Sequence, residues 1–458
     1  MQWFTLYKEA AATTGHSAVP FNIKLLIVLI DLPVAIYLLR EYSGVTKVLK
    51  KAGLYMKIIA ALSVAVVLLI EWQNYALGCS IVQCASDKYK GESPIVERYG
   101  TVADNIVNIY SNASETELIS QLHYGKKLES TVESPNNPNF IVIQVESMDA
   151  NVINHQYNGQ YIAPFLHSLS QNCVYYPYML SYHKGGATSD SEFSVMNSVE
   201  TLNGYPAIKL LSYDYSNSFV SRLDASSYNT VAFHGNVGSF YNRDTAFPKM
   251  GFSKFYDMNK MKLKDVGWGA PDADVFNYAF NELNNINKPF FSYVITMTSH
   301  GPFTNARYYY NNARYDDIKD ETVRNYFNSI SYVDESIKQF VEKVRQNFKN
   351  TYVFIWGDHT PNISTEMYHQ ASIKGQEHTL EFVPLLIITP DGKVYSEKNQ
   401  VACFTDISPT ILKASGIKYS IKSDGMNVLD EKSNGGYIPY NGSSLDRSSL
   451  FKTVEAVK

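Results

Sequence analysis

The segment Phe140-Ile141-Val142-Ile143-Gln144-Val145-Glu146-Ser147 decides how the chain is read. Its apolar part is short and β-branched, which predicts a strand buried on both faces, and it ends abruptly on a carboxylate and a hydroxyl. Similar runs recur at 230–233, 290–297, 351–356 and 383–389. Helical patterns separate several of them. The clearest spans 326–348, where Ile330, Val333, Ile337, Phe340, Val341 and Val344 return at three- and four-residue steps. Another helix is expected from near Asp406, with Ile407, Ile411 and Leu412 on one side and Gly416 as its stop. Alternation of this kind predicts an α/β fold, a sheet sandwiched by helices.

In open α/β sheets, ligands gather at the carboxyl ends of strands, so the first polar residue after each apolar run is where chemistry is expected. Those residues are Glu146, His234, His300 and the Asp358-His359 pair. Each alone reads as ordinary structure: a cap, a hydrogen-bonded core histidine, a turn. Together they favour a metal site, because hard oxygen ligands with one imidazole suit a divalent ion such as Mn²⁺, Mg²⁺ or Zn²⁺. Gly185-Gly186-Ala187-Thr188-Ser189-Asp190-Ser191-Glu192-Phe193 supplies a hydroxyl for nucleophilic attack. The same stretch reads as a helix start, Thr188 or Ser189 capping and Asp190 and Glu192 in the first turn, and the two readings are compatible. A metal bound to Thr188 would lower the pKa of its hydroxyl.

Further out, the chain changes character. Residues 25–39 are apolar apart from Asp31, and residues 54–72 are apolar except for Lys57, Ser63 and Glu71. The second run is long enough to cross roughly 30 Å of hydrocarbon, and the first is expected to pack Asp31 against a partner helix. Arg40, Lys47, Lys50, Lys51 and Lys57 lie in or beside the intervening segment, so that loop is expected in the cytoplasm and everything after Trp72 outside. A cleavable signal would have one apolar stretch close to residue 1. The expected organisation is an extracytoplasmic tail (1–20), a membrane region with two transmembrane helices (21–75), a helical linker (76–137), a catalytic domain (138–416) and a small C-terminal subdomain (417–458). The linker carries no strong strand signal and ends in the breaker cluster Ser134-Pro135-Asn136-Asn137-Pro138. Cys79 and Cys84 could pair just beyond the membrane, while Cys173 and Cys403 sit in apolar surroundings typical of inert core thiols. A net charge of −4 with no long single-sign block argues against a nucleic-acid partner.

Five motifs, in order, resemble the lipoteichoic acid synthases and related phosphoglycerol transferases of the alkaline phosphatase and sulfatase superfamily. They are the strand ending in Glu146-Ser147; Gly-x-Thr-Ser-Asp-x-Glu-Phe around Thr188; Phe233-His234-Gly235-Asn236 leading to Tyr241-Asn242-Arg243-Asp244; Ser299-His300-x-Pro302-Phe303; and Gly357-Asp358-His359. The resemblance covers most of the chain after about residue 138. It implies a sulfatase-like fold in which Glu146, Thr188, Asp358 and His359 bind one Mn²⁺-like ion, with Thr188 the nucleophile. It further implies that His234, Tyr241, Arg243 and His300 hold the glycerol phosphate group. The implied donor is phosphatidylglycerol, and the implied acceptor is a hydroxyl on a glycolipid, teichoic acid or glucan at the outer side of the cell membrane.

Three departures stand out. The family typically has five membrane helices and this chain shows two, which match the last two of the longer form; Tyr241 stands where the family often has Trp; and Ala187 and Ser191 give Thr188 slightly different neighbours. A sulfatase would need a Cys/Ser-x-Pro-x-Arg context, which neither Cys173 nor Cys403 provides. A phosphoethanolamine transferase would also use a metal-activated Thr but is not expected to carry the His234 to Arg243 motif. A silent membrane-anchored glycan-binding protein predicts decayed ligand positions, yet all four hold competent ligands.

Overall fold

The computed structural model describes residues 115–457 apart from 135, 375–378, 432, 434 and 435. The predicted tail, both membrane spans, the Cys79 and Cys84 pair and most of the linker lie outside the described residues. Among the described residues no helix is long and apolar enough to cross a membrane.

The central element is a mixed sheet of ten strands. In chain order its main strands are β1 (Asn139–Val145), β2 (Val174–Ser181), β3 (Asn229–His234), β4 (Lys254–Tyr256), β5 (Phe290–Ile295), β6 (Thr351–Gly357), β7 (Thr379–Ile388) and β8 (Tyr395–Ser396). They lie side by side as β8-β2-β7-β6-β1-β5-β3-β4. The half around β1 is parallel: β1 pairs with β5 and β6, β5 with β3, and β3 with β4. Strand β7 runs antiparallel to both β6 and β2. Strand β1 is therefore a middle strand of the sheet, and all seven of its residues are buried. Alternate side chains enter different cores: Phe140 and Val142 join one cluster, Ile141, Ile143 and Val145 the other. Layers on both sides explain why the run is apolar without alternation. Truncating one such residue, Ile143→Ala, would cost about 2–5 kcal/mol.

Four of the expected strands match β1, β3, β5 and β6 closely, and the run at 383–389 proves to be the second half of the longer β7. Strand β2 is less evident because Pro177 interrupts it. Pro177 and Pro384 both fall where the β2–β7 pairing shifts register, between Val383 and Leu385. A proline lacks the N–H the ladder needs, so it is tolerated where the ladder is broken.

Four helices matter for the site: α1 (Thr188–Asn197), α2 (Asp272–Asn285), α3 (Glu321–Asn347) and α4 (Ile407–Ser415). Helix α3 starts five residues earlier than its apolar stripe because Asp320 caps it, accepting from the N–H groups of Thr322 and Val323. Helix α4 follows the expected course, with Gly416 ending it at a φ of 69°. Every residue of α1 is buried.

Beyond α4, strand Tyr419–Ser423 pairs antiparallel with Lys126–Ser130, a strand in a stretch whose polar sequence carries no strand signal. Ile421, Val428, Ile438 and Phe451 from this end of the chain belong to the same core cluster as Phe140.

Candidate metal and nucleophile site

The parallel half of the sheet brings Glu146 and Asp358 to adjacent strand ends, because Val145 on β1 pairs with Gly357 on β6. Local sequence makes the approach possible. A Cβ at Gly357 would collide with the Met148 carbonyl, so only glycine lets β6 pass there. Ser147 and Ala187, next to Glu146 and Thr188, take positive φ values of 51° and 45°, a strained conformation for non-glycine residues that concentrates at functional sites.

Glu146, Asp358 and His359 each present a ligand atom, all within 4.8 Å of one another. Glu146 Oε1 lies 3.2 Å from His359 Nε2, and Asp358 Oδ2 lies 3.7 Å from that nitrogen. Thr188, at the first position of α1, completes the group: its Oγ1 donates to Glu146 Oε2 at 3.0 Å and lies 3.5 Å from His359 Nε2. The four side chains expected to share one ion are thus brought together.

Their protonation and hydrogen bonding suit a cation. Asp358 Oδ1 accepts from the N–H groups of Ser147 and His359, both at 2.8 Å, whereas Oδ2 is buried and has no hydrogen-bond partner. A buried carboxylate oxygen left unpaired is costly unless something positive meets it. His359 Nδ1 faces the Thr360 carbonyl at 2.8 Å; it must carry the proton, which leaves Nε2 as the ligand atom. Burial opposes charge on His359, but Asp358 and Glu146 outweigh it and push its pKa up to about 10. Burial likewise opposes charge on Glu146, yet His300 and His359 hold its carboxyl far below the usual range. Burial, followed by the Glu146 charge, pushes the Asp358 carboxyl well above its usual range, so the cluster attracts positive charge and takes up protons at Asp358 and His359.

The predicted glycerol phosphate residues form the adjoining wall. Arg243 is fully buried, and its fork is engaged by Glu192, with Nε 2.9 Å from Oε2 and Nη2 2.6 Å from Oε1. Its Nη1 lies 3.1 Å from His234 Nε2. Arginine can only donate, so His234 accepts there and is neutral. Burial, followed by the Arg243 charge, pushes the His234 pKa well below its ordinary value. Tyr241 lies under the guanidinium, whose Cζ is 5.3 Å from the ring centroid. His300 is half-buried, with Nδ1 2.6 Å from the Gly301 carbonyl.

Two participants were not evident in advance. Glu192 was expected in the first turn as a cap; it sits one turn further along α1 as Arg243's partner. Trp268 joins the wall, its ring centroid 4.9 Å from His300 and 6.0 Å from Phe240, which in turn is 4.8 Å from Tyr241. The repeated aromatics at 240–241 and 268 were the available signal.

The family model for sulfatases matches residues 138–417. The chain belongs to the sulfatase family. Within that family it is 30% identical over 346 residues to a lipoteichoic acid synthase of Staphylococcus aureus, covering 69% of this chain and 53% of that protein. It is 29% identical over 312 residues to lipoteichoic acid synthase 1 of Bacillus subtilis, covering 64% and 48%. The chain thus spans about half the length of the curated relatives it matches. Among solved structures, the lipoteichoic acid synthase LtaP from Listeria monocytogenes superposes with a TM-score of 0.59 at 25% identity, covering 70% of this chain and 90% of that one. An alkaline phosphatase superfamily protein from Vibrio parahaemolyticus gives 0.55 at 22%, covering 69% and 76%, and supports the fold. Among the described residues Cys173 and Cys403 are buried in the core, and two hydroxyls donate to Glu146 at 3.0 Å, that of Thr188 and that of its neighbour Ser147.

Proposed function

We propose that the chain is a metal-dependent phosphoglycerol transferase of the lipoteichoic acid synthase type. It moves glycerol phosphate from phosphatidylglycerol, by way of Thr188, to a hydroxyl on a teichoic acid, glycolipid or glucan. The observation that carries this reading is the contact of a helix-initial hydroxyl, Thr188 Oγ1, with Glu146 at 3.0 Å beside His359 and Asp358. Similarity to lipoteichoic acid synthases supports the choice of substrate class.

Glu146, Asp358, His359 and the Thr188 oxygen would hold one divalent cation, Mn²⁺ by preference, with Mg²⁺ or Zn²⁺ as alternatives. When bound, such an ion lowers the pKa of an alcohol and screens phosphate charge. In the first step Thr188 Oγ1 gives up its proton and attacks the phosphorus of the donor; the bond to the diacylglycerol oxygen breaks, and that oxygen takes up a proton. In the second, an acceptor hydroxyl loses its proton as its oxygen attacks the same phosphorus, the bond to Thr188 breaks, and the Thr188 oxygen regains a proton. Arg243, whose Nε and Nη2 are held by Glu192 and whose Nη1 meets His234 and the Phe240 carbonyl, would add its charge near the phosphoryl oxygens. With Nδ1 tied to Gly301, His300 has Nε2 available to exchange a proton with the departing or entering oxygen. Phe240, Tyr241 and Trp268, in contact ring to ring, would supply an apolar edge for the glycerol carbons.

This reading places the catalytic part outside the cell membrane, where two spans and a basic cytoplasmic loop would hold it next to its lipid donor. The full chain in detergent with Mn²⁺ should release diacylglycerol from fluorescent phosphatidylglycerol, and Thr188→Ala should abolish release without altering the circular dichroism spectrum. Equal turnover in the variant would remove Thr188 from the reaction.

A further inference from the structure

Strand β7 does more than extend the sheet. Ser181 on β2 is the register partner of Glu381 on β7, so the chain leaving β2 toward Thr188 carries His183 past Glu381. His183 Nδ1 lies 3.0 Å from Glu381 Oε2, and the same oxygen accepts the N–H of Thr360 at 3.1 Å. The Thr360 carbonyl accepts from His359 Nδ1 at 2.8 Å. His183 then closes the circuit: its ring stacks on that of His359 with centroids 4.4 Å apart and planes 17° apart. His359, Thr360, Glu381 and His183 thus form a closed loop of three hydrogen bonds and one ring stack.

The loop removes the freedom that would otherwise blur the site. The hydrogen bond at Nδ1 fixes which nitrogen of His359 faces Glu146 and Thr188, but a single bond leaves the ring able to rock about it. A second ring laid flat on its face blocks that motion, and Glu381 keeps the second ring in place. Ser181 adds a further tie, its hydroxyl donating to the Asp358 carbonyl at 2.7 Å. Two consecutive ligand residues, Asp358 and His359, are therefore braced from the antiparallel side of the sheet, while Glu146 comes from the parallel side.

We propose that His183, held by Glu381, is a positioning residue that fixes the His359 imidazole for metal binding. The proposal rests on the reading that Glu146, Asp358 and His359 hold a divalent cation. Partners that orient a ligand histidine are typically worth about 10–100-fold in metal affinity.

The test is Mn²⁺ binding to the full chain, followed by the electron paramagnetic resonance signal of free Mn²⁺ and by the spectrum of the bound ion. The series is wild type, His183→Ala, His183→Phe, Glu381→Gln and His359→Ala, with melting temperature measured on each. The wild type should bind one ion. His183→Ala should bind about 10–100-fold more weakly, with a broadened bound-ion spectrum. His183→Phe, which keeps a flat ring, should recover most of the affinity, and Glu381→Gln should fall between. Wild-type affinity in His183→Ala alongside lost binding in His359→Ala would overturn the positioning role and leave the metal site standing. Equal losses in His183→Ala and His183→Phe at unchanged melting temperature would overturn stacking as its cause. A wild type that binds no Mn²⁺ would overturn the metal site itself, and the positioning role with it.

Discussion

Two arginine–carboxylate pairs are buried to the same degree and do different work. Arg243 with Glu192 and Arg447 with Asp406 are each about 1% exposed on the arginine and 0% on the acid. Both are bidentate: Arg447 reaches the two Asp406 oxygens at 2.8 Å from Nη1 and Nη2. They differ in what else they touch. Arg447 also donates to the Val401 carbonyl at 2.9 Å, and Asp406 accepts from the N–H groups of Cys403 and Met426. That pair joins three distant stretches of backbone. Arg243 instead meets His234 and the face of Tyr241, and its partner Glu192 lies one turn along α1 from Thr188. A buried charge pair is thus no mark of function in itself; its remaining contacts decide.

The sharpest way to break this contrast is to remove one arginine. Arg447→Ala leaves Asp406 buried and uncompensated and should cost about 3–5 kcal/mol, seen as a large fall in melting temperature. Mn²⁺ affinity per folded molecule should stay at the wild-type value. Lost Mn²⁺ binding in protein that is still folded would show that the C-terminal pair supports the site as well.

Arg243→Lys keeps the charge but gives up the planar fork, so it should lower diacylglycerol release by about 100-fold with a much smaller fall in melting temperature. Unchanged turnover would reduce Arg243 to the kind of structural tie that Arg447 provides.

The metal cluster itself predicts a pH effect. His359, with its pKa raised to about 10 in the metal-free protein, holds a proton at neutral pH that a metal must displace. Mn²⁺ binding should therefore release at least one proton, and affinity should rise about tenfold per pH unit below 10. The raised pKa also means that the charged His359 stabilises the metal-free fold below about pH 6.5, and that this contribution is lost as pH climbs toward 10. Melting temperature against pH, with and without Mn²⁺, measures the difference. A metal affinity flat between pH 6 and 8 would contradict the assignment of His359 as a ligand.

The smallest expected effect is at Trp268. Removing one aromatic contact with His300, Trp268→Ala, should lower turnover three- to tenfold, on the order of 0.5–1.5 kcal/mol, and Trp268→Phe should stay near wild type.

The residues at the carboxylate cluster were legible because each follows an apolar run on a buried strand: Glu146 after β1, Asp358 and His359 after β6. Parallel pairing of β1 and β6 then leaves them little choice but to meet. The bracing partnerships were not legible, for a physical reason. Glu192 and Arg243 are 51 positions apart, and His183 and Glu381 are 198 apart, so nothing near any of them in the chain identifies its partner. Strand β2 was obscured by Pro177, which signals a break in a strand and is accommodated here by the register shift opposite Pro384. The strand Lys126–Ser130 escaped notice because it is polar and much of it is exposed, so it lacks the apolar alternation that announces a strand.

The most direct test of Thr188 as the group-carrying residue is the intact mass of the full chain, quenched during turnover of phosphatidylglycerol with Mn²⁺ and then mapped by peptide fragmentation. The account predicts a mass increase equal to one glycerophosphoryl group, located on Thr188 and absent from Thr188→Ala. An adduct that persists in Thr188→Ala, or catalytic turnover with no adduct at any time point, would contradict it; a phosphoethanolamine mass in a parallel reaction with phosphatidylethanolamine alone would move the donor assignment to that lipid.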